Sequence, residues 1–173
     1  MLAYVFSHRA APGVEAGLYE ESLRRFHAAL ASASPSGFIA SNTFRTGNAY
    51  ADWYLLENSA ALDVLNAAAV SGARTPAHDV IARMAVDGAG KLLSLASGQP
   101  SMDAQFEVRF AKPAGVQYVD LYARLQTWTS ATGTSLWRRM MVLGPPPEFT
   151  LVTQTPPELP SDLNPEVVRR EPI

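Results

Sequence analysis

The sequence repeats one pattern at a constant spacing, and this repeat constrains the fold more than any other feature. Residues 104–130 align with residues 2–28 when they are shifted back by 102 positions. The aligned pairs are Gly115 with Gly13, Val116 with Val14, Leu121 with Tyr19, Leu125 with Leu23, Trp128 with Phe26, and, upstream, Phe106, Val108 and Phe110 with Tyr4, Phe6 and His8. One offset keeps both the alternation of a strand and the stripe of a helix in register. The sequence therefore predicts two copies of one folding unit.

The first half has the pattern of a β-α-β-β-α-β unit. Residues 2–8 alternate large and small side chains, as a strand does, and apolar residues recur at helical spacing over residues 14–33. The remaining predicted elements are strands at 38–46 and 50–57 joined at Gly47-Asn48, helices at 60–70 and 77–86, a turn at 88–90 and a strand at 91–96. This order is that of the ferredoxin-like split βαβ arrangement.

The second half repeats the pattern but stops early. Its predicted elements are strands at 104–111, 135–143 and 148–154 and a helix at 116–131. A second helix and a fourth strand are missing unless residues 162–170 form a short helix. We therefore expect a first ferredoxin-like repeat at 1–98, a second, partial repeat at 102–156 and a proline-rich C-terminal arm at 157–173. Prolines favour an extended or disordered arm.

Composition and charge exclude several classes of function. The 173 residues carry a net charge of −2, so no basic field exists to hold nucleic acid. The chain has no cysteine, and no apolar run reaches the roughly 18–20 residues of a membrane-spanning helix. Histidine spacings typical of zinc sites and glycine-rich nucleotide-binding motifs are also absent. We expect a soluble, cytoplasmic protein with no metal, no cofactor, no nucleic-acid partner and no membrane contact.

A family resemblance rests on the end of the first hairpin. The run Trp53-Tyr54-Leu55-Leu56-Glu57, followed by Ser59-Ala60 and an alanine-rich helix, resembles the dimeric α+β barrel superfamily. That superfamily includes the antibiotic-biosynthesis monooxygenase-like, EthD-like and NIPSNAP-like families, and the resemblance covers residues 1–96 and, in part, 104–154. It implies an α+β fold in which two antiparallel sheets face each other and enclose a barrel with a cavity. A tandem repeat in one chain would supply both sheets.

The candidate site residues lie on the strands of this expected barrel. His8 ends the strand face that also carries Tyr4 and Phe6, and a histidine can accept a proton near neutral pH. The candidate substrate-binding residues are Tyr4, Phe6, Trp53, Trp137 and Arg139. The aromatic residues would stack on a flat ligand, and Arg139 would orient a carboxylate or phenolate. The alternatives are a solvent-edge histidine, aromatic residues that fill core, and a solvated arginine.

Three hypotheses for function remain open. The first is a small enzyme or ligand-binding protein that binds, and by the resemblance oxidises without a cofactor, a flat apolar molecule between the sheets. The second is a non-catalytic assembly or partner-binding protein whose barrel interior is packed. The third is a haem-binding or haem-degrading protein with a histidine ligand. An edge strand left open by the partial second repeat would allow a homodimer.

Overall fold

The computed structural model describes residues 1–141 and 144–173 and gives the chain a mixed α+β fold. In this part of the chain there are nine strands and four α-helices. The strands are β1 (Leu2–Ala10), β2 (Phe38–Thr46), β3 (Ala49–Leu56), β4 (Ala85–Gly98), β5 (Phe106–Phe110), β6 (Ser135–Arg139), β7 (Phe149–Thr153), β8 (Glu166–Arg169) and β9 (Glu171–Pro172). The helices are α1 (Ala16–Ser32), α2 (Ala60–Ala69), α3 (Thr75–Met84) and α4 (Tyr118–Thr129).

The strands form one antiparallel sheet that is nearly closed into a barrel. Their order is β8-β5-β7-β6-β4-β1-β3-β2-β9. The first half contributes β1 to β4 in the order β4-β1-β3-β2, which is fourth, first, third, second. The second half contributes β5 to β8 in the same relative order, β8-β5-β7-β6. The long strand β4 joins the halves, because it pairs with β1 and also with β6.

The C-terminal residues connect the two ends of this sheet. Strand β8 pairs with β5 at one end, and β9 pairs with β2 at the other, with only Arg170 between them. We call residues 164–173 the C-terminal strap. The sequence allowed a short helix at residues 162–170. The structure instead has a single 3-10 turn at Ser161–Leu163, followed by strand β8. The strap is an ordered part of the sheet because its backbone groups pair with both ends.

The two faces of the sheet have different surroundings. Side chains on the inner face pack against each other inside the barrel; this buried core comprises Ala3, Val5, Phe44, Ala51, Trp53, Leu55, Leu93, Ala104, Trp137 and Val152. Side chains on the outer face pack against the helices. The predicted stripe on α1 is confirmed, since Tyr19, Leu23, Phe26 and Leu30 are all buried.

Two predicted boundaries differ from the structure. The expected turn at residues 88–90 is wrong, because β4 continues through these residues, with a shift in its register against β1 between Val86 and Ala89. Gly88 and Gly90 leave room for aromatic rings from β1: a Cβ atom would lie 2.6 Å from Phe6 Cζ at Gly88 and 2.7 Å from the Tyr4 hydroxyl oxygen at Gly90. The strand predicted at 135–143 ends at Arg139, and its last two positions lie outside the described residues.

Within the residues that the structure describes, no helix has the length and apolar character needed to cross a membrane.

Candidate functional site

A cavity of about 620 Å³ lies between the outer face of the first-half sheet and helices α2 and α3. Its volume is in the range of small-molecule sites. Its apolar lining comprises Tyr4, Phe6, Phe26, Leu62, Leu65, Ala69, Ile81, Ala82 and Ala85, and its polar lining comprises Asp52, Tyr54, Asp63, Asn66 and His78. Asp63 and Asn66 are exposed and mark its mouth.

A buried carboxylate forms part of the cavity wall. Asp52 is only 4% exposed and lies on β3 between Tyr50 and Tyr54, the neighbouring outward-facing residues of that strand. The strand alternates, so Ala51 and Trp53 face the barrel interior while Asp52 faces the helices. A buried carboxylate needs hydrogen-bond donors and positive partners. Asp52 has both.

The first set of partners comes from β2 and α1. The Thr43 hydroxyl donates a 2.5 Å hydrogen bond to Asp52 Oδ1, and His27 Nε2 lies 2.8 Å from that hydroxyl oxygen and 3.4 Å from Oδ1. The hydroxyl has a single hydrogen, which goes to the carboxylate, so His27 Nε2 carries the hydrogen that Thr43 accepts. His27 Nδ1 lies 2.6 Å from the Ser41 hydroxyl oxygen. Both nitrogens of His27 are therefore engaged.

His8 approaches the other carboxylate oxygen. Its Nε2 lies 3.3 Å from Asp52 Oδ2, in an orientation that leaves Nε2 without a hydrogen-bond partner among the described residues. The Tyr19 hydroxyl lies 2.6 Å from His8 Nδ1, and the imidazole stacks on the Tyr50 ring with 5.8 Å between ring centroids. The carboxylate favours a proton on Nε2, so Nδ1 accepts the Tyr19 hydrogen bond.

The charge states follow from this arrangement. Burial alone would raise the pKa of Asp52, but the contacts with His27 and His8 outweigh burial and hold the pKa well below its usual range. Burial, together with the nearby Asp52 charge, raises the pKa of Tyr54 well above its usual value. Asp52 is therefore ionised, and Tyr54 is a neutral donor whose hydroxyl lies 3.2 Å from Asp52 Oδ2.

The structure brings only part of the predicted site together. Tyr4 and Phe6 line the cavity, and His8 lies behind it in contact with Asp52. Trp53 and Trp137 instead meet edge to face inside the barrel, with 5.8 Å between ring centroids. Arg139 shares that inner face with its neighbour Leu93 and donates a 3.0 Å hydrogen bond to the Gly144 carbonyl. The cavity is thus on the outer face of the sheet and not between the sheets.

Five residues of the network around Asp52 were not among the predicted site residues: Tyr19, His27, Thr43, Asp52 and Tyr54. The available signal was Asp52, the one charged residue in the apolar strand Ala49–Leu56. His27 lies at the edge of the α1 stripe but is only 8% exposed, because it turns towards Thr43 and Asp52. A histidine at the edge of an apolar helix stripe does not by itself reveal such a partner.

The haem hypothesis depends on where the histidines lie. Among residues 1–141 and 144–173, no three His, Cys, Asp or Glu side chains are arranged to hold a metal ion. His78 is the histidine on the cavity wall, and its Nδ1 lies 3.2 Å from Asp79 Oδ1. A haem held by a histidine in this cavity would be held by His78.

Comparisons with known proteins support the fold. No family model matches the sequence, and no curated protein matches it. A crystal structure of a "putative monooxygenase" from Lactobacillus acidophilus NCFM is similar with a TM-score of 0.60 at 10% identity, covering 99% of this chain and 93% of that chain. An "anthrone oxidase-like protein" is similar with a TM-score of 0.61 at 10% identity, covering 99% and 91%. By its fold, the chain is an α+β barrel protein.

Proposed function

We propose that the cavity on the outer face binds a flat, largely apolar aromatic molecule whose hydroxyl group donates a hydrogen bond to Asp52. The observation that carries this proposal is the ionised, buried carboxylate of Asp52 on the wall of a mostly apolar cavity. The rings of Tyr4, Phe6 and Phe26 supply flat surfaces for an aromatic ligand. A donor placed beside Asp52 Oδ2 would form a charge-assisted hydrogen bond, which is stronger than a neutral one.

The charges around the cavity define the ligand class further. Asp52 and Asp63 both line it, and among the lining residues that the structure describes none is a lysine or an arginine. A ligand carboxylate would meet two negative charges with no cationic partner. The proposal is therefore for a neutral or cationic ligand. An anchor at Arg139 would instead have selected an anionic ligand, such as a carboxylate or a phenolate.

The network also supports proton removal from such a ligand. Asp52 has a lowered pKa and is by itself a weak base, so its role is to orient His8 and to stabilise the imidazolium. A proton leaving the ligand hydroxyl would end on His8 Nδ1, the ring nitrogen without a hydrogen, while Nε2–H stays beside the Asp52 carboxylate. A monooxygenase-like reaction would then place one atom of dioxygen on the substrate and release the other as water, with all electrons from the substrate. This step is the enzymatic part of the proposal.

We also propose that the two halves derive from one duplicated unit and that only the first half carries the site. The support is the shared strand order and the register of the outward-facing residues. His8 lies opposite Tyr50, and Phe110 lies opposite Phe149 in the same way. In the first half, Asp52 lies opposite Phe6. The equivalent pair in the second half is Leu151 opposite Val108, so a leucine stands where the first half has Asp52.

The test is a set of three naphthalene probes measured by calorimetry at pH 7. 2-Naphthol should bind more tightly than naphthalene, which lacks the hydroxyl, and 2-naphthoate should bind least. Asp52→Asn should weaken 2-naphthol binding about tenfold, or about 1.4 kcal/mol, and should remove the preference over naphthalene. Asp120→Asn, on the exposed surface of α4, is the matched control.

Other outcomes separate the remaining hypotheses. Tighter binding of 2-naphthoate than of 2-naphthol would contradict the proposed ligand class. Oxygen uptake with a dihydroxynaphthalene, lost in His8→Ala, would support turnover, whereas an unchanged rate would remove His8 as the proton acceptor. A Soret band on haem addition that disappears in His78→Ala would support the haem-binding hypothesis. Binding of none of the probes would favour the non-catalytic alternative.

A further inference from the structure

We infer that the last three residues of the C-terminal strap position Asp52, acting through Thr43. Strand β9 pairs with β2 at the level of Asp52: Glu171 lies opposite Arg45 and Pro172 opposite Phe44. The Ile173 backbone N–H then donates a 3.1 Å hydrogen bond to the carbonyl of Thr43. Thr43 is the residue whose hydroxyl holds both Asp52 and His27.

Thr43 is therefore held at two points. Its side chain lies opposite Asp52 in the β2–β3 ladder and donates the 2.5 Å hydrogen bond to Oδ1. Its carbonyl is held from the far side of β2 by Ile173. Without β9, β2 would be a free edge at this level, and edge strands lose their backbone order most readily. Loss of Ile173 would loosen the strand segment that carries the Thr43 hydroxyl.

Arg170 contacts strands β2 and β3 next to Thr43 and Asp52, from inside the barrel. Its side chain is 1% exposed, and its guanidinium lies 3.7 Å from the Phe44 ring centroid and 5.0 Å from the Trp53 ring centroid. Phe44 and Trp53 directly follow Thr43 and Asp52 in their strands. Arg170 Nε also donates a 2.7 Å hydrogen bond to the Ala104 carbonyl, which ties the strap to the segment between the two halves. The strap thus contacts both strands of the site at one level.

The strap also reaches the surroundings of His8. The Ile173 side chain packs on the cluster formed by Tyr19, Leu23 and Tyr50. Tyr19 contacts His8 Nδ1, and Tyr50 stacks on the imidazole. On the solvent-facing side of the strap, Glu171 forms an exposed ion pair with Arg45 at 2.6 Å, which contributes little by itself. The buried contacts of Ile173 are therefore the ones that matter for the site.

The groups facing Asp52 come from four elements, and they define what a titration of Asp52 would report. They are Tyr4 and His8 on β1, Tyr19 and His27 on α1, Thr43 on β2 and Tyr54 on β3. The imidazoles and the hydroxyl donors favour the ionised carboxylate. A shift of Thr43 would weaken the donor at Oδ1 and the link to His27, and the carboxyl group would then take up a proton at higher pH.

The experiment is an NMR titration of the Asp52 side-chain carboxyl carbon in the ligand-free protein. Ile173→Pro removes the N–H donor, and Ile173→Val keeps it, which makes these two a matched pair. In the unaltered protein and in Ile173→Val, Asp52 should stay ionised until the protein unfolds in acid. In Ile173→Pro, as in Thr43→Val, protonation of Asp52 should begin about one pH unit higher or more. Combining both changes should give no further increase.

The outcomes separate positioning from general stabilisation. An Asp52 titration in Ile173→Pro identical to that in Ile173→Val would overturn the inference, even if Ile173→Pro lowers the unfolding free energy. A truncation after Arg170 is the second variant and should reproduce the Ile173→Pro titration. Val167→Ala, in β8 of the strap, tests destabilisation away from the site and should leave Asp52 ionised. The meaning of this coupling for activity rests on the proposed function, but the titration uses no ligand and stands without it.

Discussion

Thr43 and Asp52 lie directly opposite each other on neighbouring strands, and the Thr43 hydroxyl donates a 2.5 Å hydrogen bond to the Asp52 carboxylate. His27 and His8 approach the two carboxylate oxygens from different elements. A buried charge without such partners is costly, and removing one partner from a satisfied set is strongly destabilising. The arrangement explains how an apolar cavity can keep a negative charge on its wall.

The acid sensitivity of the protein should depend on Asp52. The folded-state pKa of Asp52 lies below its value in the unfolded chain, so its stabilising contribution is complete above about pH 4 and is lost as the pH falls further. In Asp52→Asn this part of the pH dependence disappears, and the unfolding free energy at pH 7 falls by about 1–3 kcal/mol. Urea unfolding between pH 3 and pH 7 measures both effects. An acid limb as steep as that of the unaltered protein would contradict the assignment.

The contact between Tyr19 and His8 should stabilise the fold. Tyr19→Phe removes the hydroxyl that lies 2.6 Å from His8 Nδ1 and leaves a buried ring nitrogen unsatisfied. We expect a loss of about 1–3 kcal/mol in the unfolding free energy. Tyr122→Phe, at a partly buried tyrosine of α4, is the control and should change stability by less. Equal losses in the two variants would argue against the hydrogen bond.

The barrel interior and the cavity should respond separately to substitution. Trp137→Phe, inside the barrel, should lower the unfolding free energy by about 1–3 kcal/mol and leave 2-naphthol binding unchanged. Leu65→Ala, on the cavity wall, should weaken 2-naphthol binding about tenfold. Calorimetry and urea unfolding on the same two variants check this. If Trp137→Phe weakened 2-naphthol binding and Leu65→Ala did not, the ligand site would lie inside the barrel.

Gly88 should be needed for the shape of the cavity. A Cβ atom there would lie 2.6 Å from Phe6 Cζ, so in Gly88→Ala the Phe6 ring has to move, and this ring lines the cavity. We expect 2-naphthol to bind several-fold more weakly, by about 1 kcal/mol. Ala89→Ser, at the next position of the same strand, is the control and should bind 2-naphthol as before. Unchanged binding in Gly88→Ala would show that Phe6 does not shape the ligand site.

The sequence predicted the local elements well because their signals are local. The helical stripe of α1, the hairpin at Gly47-Asn48 and the strand over residues 2–8 follow from spacing and turn residues. The register of the second half has no such local signal: Phe149 lies opposite Phe110 as Tyr50 lies opposite His8, so it faces outward. A mismatch of one residue exchanges the two faces of a strand.

The location of the site could not be predicted from these patterns. Strand alternation places Tyr4, Phe6 and His8 on one face, but it does not say whether that face meets a second sheet or the helices. The barrel interior is packed by Trp53 and Trp137, while the cavity lies under α2 and α3. A packed interior and a cavity, which the sequence hypotheses treated as alternatives, therefore occur together.

The strap was also beyond prediction because its contacts span the chain. Arg45 and Glu171, which form an ion pair, are 126 positions apart in the sequence. Strand β8 has only four residues and lies close to several prolines, so its sequence gives a weak signal for a strand. Pairing with both ends of the sheet orders this segment, and no local pattern encodes that pairing.

The homodimer expected from the sequence stays a prediction.

A crystal structure of the protein with 2-naphthol would show directly where the ligand binds. We predict density for the naphthalene rings between β1 and helices α2 and α3, with the hydroxyl oxygen within hydrogen-bond distance of Asp52 Oδ2. Density inside the barrel beside Trp53 and Trp137, or in the outer cavity with the hydroxyl turned away from Asp52, would contradict it.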